Sequence, residues 1–139
     1  MRVIHRAALA ACIALSGCAA TPETATRISD SSLCAQYGTA LRTAPALPET
    51  NVLRQEIHRR ALLLPTDDDG RIAKEVVRIG DSECALYASW GTPSRAKSND
   101  HRERHAHPAR PMPASPGGTS APVRTTFYTT NGRVTVIQN

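Results

Sequence analysis

The sequence predicts an α+β fold: two or three short helices packed on a small antiparallel sheet, ending in a C-terminal β-hairpin and broken by a disordered insert. Three observations carry this expectation. Apolar side chains recur at helical spacing within residues 33–41 and again within 53–61. Asn131-Gly132, the strongest two-residue type I′ turn signal, separates two strand-like runs. Between them, residues 97–122 hold five of the ten prolines and, apart from Met112, no aliphatic side chain longer than alanine. Such a segment buries too little apolar surface to offset its ordering entropy, so it is expected to be disordered.

Residues 19–28 are small and polar without periodicity, which predicts a tether. Asp30-Ser31-Ser32 then supply N-cap oxygens for a helix with Leu33, Cys34, Tyr37 and Leu41 on one face, and Gly38 is a point where it can end early. Pro45 and Pro48 break any continuation of that helix. Thr50 or Asn51 caps a second helix carrying Leu53, Ile57 and Ala61, with Glu56 and Arg60 spaced for an i,i+4 ion pair. Pro65 stops it. A short third helix holds Ile72, Ala73, Val76 and Val77. Asp81 or Ser82 caps a fourth, which Gly91 and Pro93 terminate. That fourth helix has two apolar strips, Cys84, Tyr87 and Ala88 on one and Leu86 and Trp90 on the other, so it must be clamped from two sides. In the hairpin, a plain register sets Thr129 against Val134 and Phe127 against Val136. Phe127, Val134 and Val136 then form the apolar part of the packed face, with Tyr128, Thr130, Arg133 and Thr135 opposite.

No constellation in the chain reads as catalytic. His58 lies on the polar side of its helix with no local nucleophile or carboxylate, so it reads as a solvated histidine. Asp67-Asp68-Asp69-Gly70 lacks the calcium-loop pattern, because Pro65 would open the loop and Val76 would stand at its twelfth position. His101, His105 and His107 have loose metal-ligand spacing, but nothing in the sequence fixes them, and only adventitious nickel or zinc affinity is expected. There is no nucleophile elbow, no paired histidine motif and no glycine-rich phosphate loop. The expectation is a non-enzyme without metal, cofactor or small-molecule substrate.

The N-terminus bears on location. Arg2, His5 and Arg6 precede an apolar run over residues 7–15, far short of the roughly 20 residues a spanning helix needs. The run ends in Leu15-Ser16-Gly17-Cys18, which resembles the lipobox of bacterial lipoproteins. That resemblance implies that residues 1–17 are a signal peptide and that Cys18 is lipidated, palmitate included, and becomes the mature N-terminus. Ala19, rather than aspartate, follows the anchor, which by the same resemblance implies the outer membrane. Residues 18–29 are then the tether, and 30–139 the folded domain. Losing Arg2 and Arg6 lowers the formal net charge from +5 to +3. No stripe of cations with interleaved aromatics stands out, so nucleic acid is not an expected partner.

The order of motifs in the domain adds a second resemblance. Helices are followed by Ile79-Gly80-Asp81-Ser82-Glu83, a short helix, Gly91-Thr92-Pro93, and a hairpin ending in Asn131-Gly132-Arg133-Val134-Thr135-Val136-Ile137-Gln138. This order is similar to small outer-membrane lipoproteins of the SmpA/OmlA type, which share a fold with beta-lactamase inhibitory proteins. The resemblance covers residues 80–93 and 127–138 as well as the lipobox. It implies two helices on a three-stranded sheet and a role in outer-membrane integrity or assembly, with another envelope protein as partner. The alternative it implies is a periplasmic binding or inhibitory module acting on a soluble enzyme. The chain departs from the pattern in two places: Asp81 stands where methionine is common, and no Trp-x-Tyr strand precedes the hairpin.

Of the four cysteines, Cys12 would leave with the signal peptide and Cys18 would carry lipid. Cys34 and Cys84 then face an oxidising compartment from the apolar strips of two helices, and a disulfide between them is expected. A pair of buried free thiols is the alternative.

Overall fold

Helical structure begins earlier than the tether expectation allows. In the structure, a computed structural model, residues 21–99, 102–107 and 124–139 are described; the lipobox with Cys18, His101 and residues 108–122 lie outside them. Helix α1 (Pro22–Arg27) occupies the stretch read as a tether. Thr21 and Thr24 form a reciprocal cap at its start, and Pro22 suits the first helical position. Its C-terminal end is held from another element: the Arg60 guanidinium donates to the carbonyls of Ala25, Thr26 and Ile28 at 3.0–3.1 Å. Sequence periodicity is blind to that kind of tertiary cap.

Helix α2 (Asp30–Thr43) is capped by Ser29 rather than by the three residues after it, and buries Leu33, Cys34, Tyr37 and Leu41 as expected. Gly38 does not end it. The glycine lies where α2 meets the later helix, and a Cβ there would stand 1.7 Å from the Ala88 carbonyl oxygen. Helix α3 (Pro48–Arg59) starts two residues before the expected caps, with Pro48 in its first turn. It stops at Arg59 because Ala61 takes a positive φ of 52°. Helix α4 (Asp69–Ala73), capped by the Asp68 side chain, is shorter than expected, and Glu75 turns the chain at φ 60°.

Helix α5 (Glu83–Trp90) is the central element. Ser82 caps it, Gly91 ends it at φ 79°, and it is clamped from two sides as its two strips require. Cys84, Ala85 and Ala88 join the larger core with Leu33, Tyr37, Leu53, Ile57 and Ile72. Leu86 and Trp90 join a smaller core with Phe127, Val134, Val77 and Ile137. Cys34 and Cys84 form the expected disulfide between α2 and α5, with their Cα atoms 5.3 Å apart.

The sheet has four antiparallel strands in sequence order: β1 (Arg95–Asn99), β2 (Arg102–Ala106), β3 (Thr126–Thr130) and β4 (Arg133–Gln138). The disordered-insert expectation is therefore corrected over residues 97–99 and 102–107, and the sheet has four strands where the resemblance implies three. The sequence hides these strands because β2 turns no aliphatic residue inward. Glu103 and His105 alternate with the exposed Arg102 and Arg104, and His107 continues the period of two. The imidazoles fill the places of apolar side chains: His105 packs edge-on to Tyr87, and His107 edge-on to Trp90 and Phe127.

The hairpin register also differs from the plain one. Thr129 pairs with Val134 as expected, but Phe127 pairs with Ile137 and Tyr128 with Val136, because the register shifts between Tyr128 and Thr129. Thr135 is the extra residue of this bulge, and its hydroxyl donates to the Tyr128 carbonyl. The bulge turns Ile137 toward the core and leaves Val136 on the outside.

Candidate functional site

Two places on the sheet carry chemistry, one on each face. The inner one lies between β2, β3 and the first turn of α5. Its frame is tightly tied. Asp81 accepts two hydrogen bonds from Arg71 (2.8 and 3.1 Å) and one from the Arg78 amide, and its own carbonyl accepts from the Val134 amide. The Glu83 amide donates to the Gly132 carbonyl in the hairpin turn. Asp81 is thus a buried ion-pair partner that fixes where α5 begins against β4.

From that frame Glu83 and Tyr87, one helical turn apart, face β2. The Tyr87 hydroxyl donates to Glu83 Oε1 and lies 3.3 Å from His105 Nδ1. His105 is fully buried; its Nε2 stands 3.0 Å from the Thr129 hydroxyl, 3.5 Å from Glu83 Oε1 and 3.6 Å from Glu103 Oε2. Burial and the neighbouring Glu83 carboxylate both push the Tyr87 hydroxyl well above the usual phenol range, so it stays a proton donor. Glu83, Glu103 and His105 have ligand atoms within 4.8 Å of one another, a set with the chemistry to hold a cation. An open cleft of about 640 Å³ reaches this cluster from the α2 side, lined by Glu83 and Tyr87 together with Asp30, Leu62 and Arg133.

The outer face is different in kind. Register places Lys97, Arg104, Tyr128 and Val136 in one row across the sheet, with Arg102 beside Thr130 and Arg133. Lys97, Arg102, Arg104 and Tyr128 line a shallow depression, in which the Arg102 guanidinium lies 4.8 Å from the centre of the Tyr128 ring. No aspartate or glutamate occupies an outward position of the described strands, and among the described residues none of these three cations meets a carboxylate. Among the described residues, α5 packs on the other side, against Phe127 and Val134.

Of the residues singled out from sequence, His58 is exposed on α3, as expected. Asp67, Asp68 and Asp69 do not converge on one centre. Asp67 accepts from the Leu64 and Ser82 amides, Asp68 caps α4, and Asp69 accepts from Tyr37. His105 and His107 are buried rather than loose, and they go to different neighbours. Sequence reasoning misses Glu83, Glu103, Tyr87 and Thr129 as site residues. The available signal is the period-two run Glu103-x-His105-x-His107. Comparisons of the chain with protein-family models, with curated proteins and with solved structures found no match, so these residues alone bear on function.

Proposed function

We propose that this chain is a lipid-anchored protein of the bacterial cell envelope, held to the outer membrane through Cys18 with its domain facing the periplasm. Its role is structural: it supports outer-membrane integrity or assembly by docking another envelope protein. The observation that carries the docking part is the basic outer face of the sheet, with Lys97, Arg102 and Arg104 around one tyrosine and no acid among them. Exposed guanidinium groups pair with carboxylates in a two-pronged geometry, and such patches steer and orient a partner of opposite charge. The occupant is an acidic protein surface.

Packing order supports a protein rather than the anchoring membrane as that occupant. Three residues separate Cys18 from Pro22, so the chain leaves the lipid by way of α1. Helix α1 packs on α3, α3 on α2, α2 on α5, and α5 on the sheet. The outer face is therefore the part of the packing sequence most removed from the anchor.

The test is purification of the protein from membranes beside two variants. Cys18→Ser abolishes labelling by a radioactive fatty acid, and the double charge reversal Arg102→Glu/Arg104→Glu loses a co-purifying acidic outer-membrane component. Capture of a single soluble enzyme instead would favour an inhibitory module, and capture indifferent to the charge reversal would rule out this face.

A further inference from the structure

We propose that Glu83, Glu103 and His105 form a binding site for a divalent transition-metal ion of the zinc class, open to the cleft beside α2. One proton decides the arrangement. The Tyr87 hydroxyl has a single hydrogen and gives it to Glu83. Toward His105 Nδ1, 3.3 Å away, its oxygen can only accept. Nδ1 therefore carries the ring hydrogen, and in the neutral imidazole Nε2 is bare. The Thr129 hydroxyl, 3.0 Å away, can donate to it, and its hydrogen rotates away when a cation takes the nitrogen's lone pair.

That leaves acceptor facing acceptor. Bare Nε2 stands 3.5 Å from one carboxylate oxygen and 3.6 Å from another, and among the described residues neither Glu83 nor Glu103 pairs with a lysine or arginine. Two carboxylates beside a buried ring nitrogen make a place for a cation between them. The spacing suits one: zinc bound to nitrogen and oxygen at roughly 2.0–2.2 Å in a tetrahedron sets its ligands about 3.4 Å apart. The third edge, between the two carboxylates, lies within 4.8 Å, and Glu103, the most exposed of the three, closes it by a side-chain adjustment.

The surroundings have the form of an outer shell. The relay from His105 Nδ1 through the Tyr87 hydroxyl to Glu83 orients both the ring and one carboxylate, the arrangement that fixes tautomer and geometry at imidazole-bound metals. Three side chains leave a fourth position for solvent, which the cleft at Glu83 supplies. A nitrogen with two carboxylates, and no thiolate, suits zinc and its first-row neighbours rather than copper(I) or an iron–sulfur cluster. This site is independent of the outer face and of the anchor.

The experiment is a titration of the full chain with zinc chloride, followed by calorimetry and by the imidazole NMR signals. The protein takes up zinc with displacement of the His105 signals. Glu103→Gln, which keeps the size of a half-exposed side chain, weakens that uptake at least about tenfold, and His101→Ala leaves it unchanged. Zinc uptake that survives Glu103→Gln at full strength, or depends on His101, would overturn the proposal. So would a folded wild-type protein that binds no zinc.

Discussion

The two sides of α5 are built on opposite principles. On one side, Leu33, Tyr37, Leu53, Ile57 and Ile72 make an apolar core that the Cys34–Cys84 bridge locks. On the other, among the described residues the sheet offers Phe127 and Val134 as fully buried apolar side chains, and buries His105, His107 and Thr129 beside them. The sheet side gathers its polar groups at one inner cluster and presents its cations outward. The contrast teaches that apolar packing and polar chemistry are divided between layers: the helices hold the domain, and the sheet carries the clustered polar and charged groups.

Breaking the helical side should cost most. Replacing Cys34 and Cys84 together by alanine opens a loop of 50 residues and is expected to lower unfolding free energy by about 4 kcal/mol on the chain-entropy account. Denaturant titration measures it; a loss near zero would mean that the apolar core suffices without the bridge. Gly38→Ala comes next, at roughly 3 kcal/mol, because its Cβ would overlap the Ala88 carbonyl and force α2 away from α5. Thermal melting reads this, and an unshifted midpoint would show that the helices part without cost.

The smallest effect is electrostatic and should also belong to the helical side. Hydrogen bonds from Arg59 and then Arg60 hold the Glu56 carboxyl at about 2, well below its ordinary value of 4.5. A lowered carboxyl contributes stability above its unfolded value and loses it as pH falls through the folded one. Stability should therefore decline between about pH 4.5 and 2, and less steeply in Arg60→Met, where α1 also loses its cap. At the other extreme, burial and then the hydrogen bond to Asp69 push the Tyr37 hydroxyl up to about 12. A raised phenol removes stability as pH climbs from 10 toward 12. A pH series of melting midpoints resolves both limbs, and a flat acid limb in the wild type would contradict the Glu56 assignment.

The two sides are also unequally legible in the sequence. Leu33, Cys34, Tyr37 and Leu41, or Cys84 and Ala88 against Leu86 and Trp90, declare a helical interior through spacing alone. Asn131-Gly132 declares the hairpin. Strand β2 is hidden because its inward residues are an acid and two histidines among arginines, a composition that reads as solvated until Tyr87, Trp90 and Phe127 are seen to stack on them. Helix α1 is hidden because its C-terminal cap, Arg60, comes from the residue that follows α3. The bulge at Thr135 is hidden because β-branched residues on both sides of it fit either register. The misses at β2 and at the C-terminal end of α1 are long-range partners, and the inner cluster is missed for the same reason: Glu83, Glu103 and Thr129 are brought together only by the fold.

The division between a holding layer and a meeting layer is tested most directly by photo-crosslinking in living cells. A photoreactive side chain is placed at Tyr128, in the middle of the outer sheet face, and in parallel at His58, exposed on α3. Adducts to an acidic envelope protein at Tyr128, and none at His58, are the predicted result. Adducts at His58 with none at Tyr128 would contradict the account, because the helical layer would then be the surface that meets the partner.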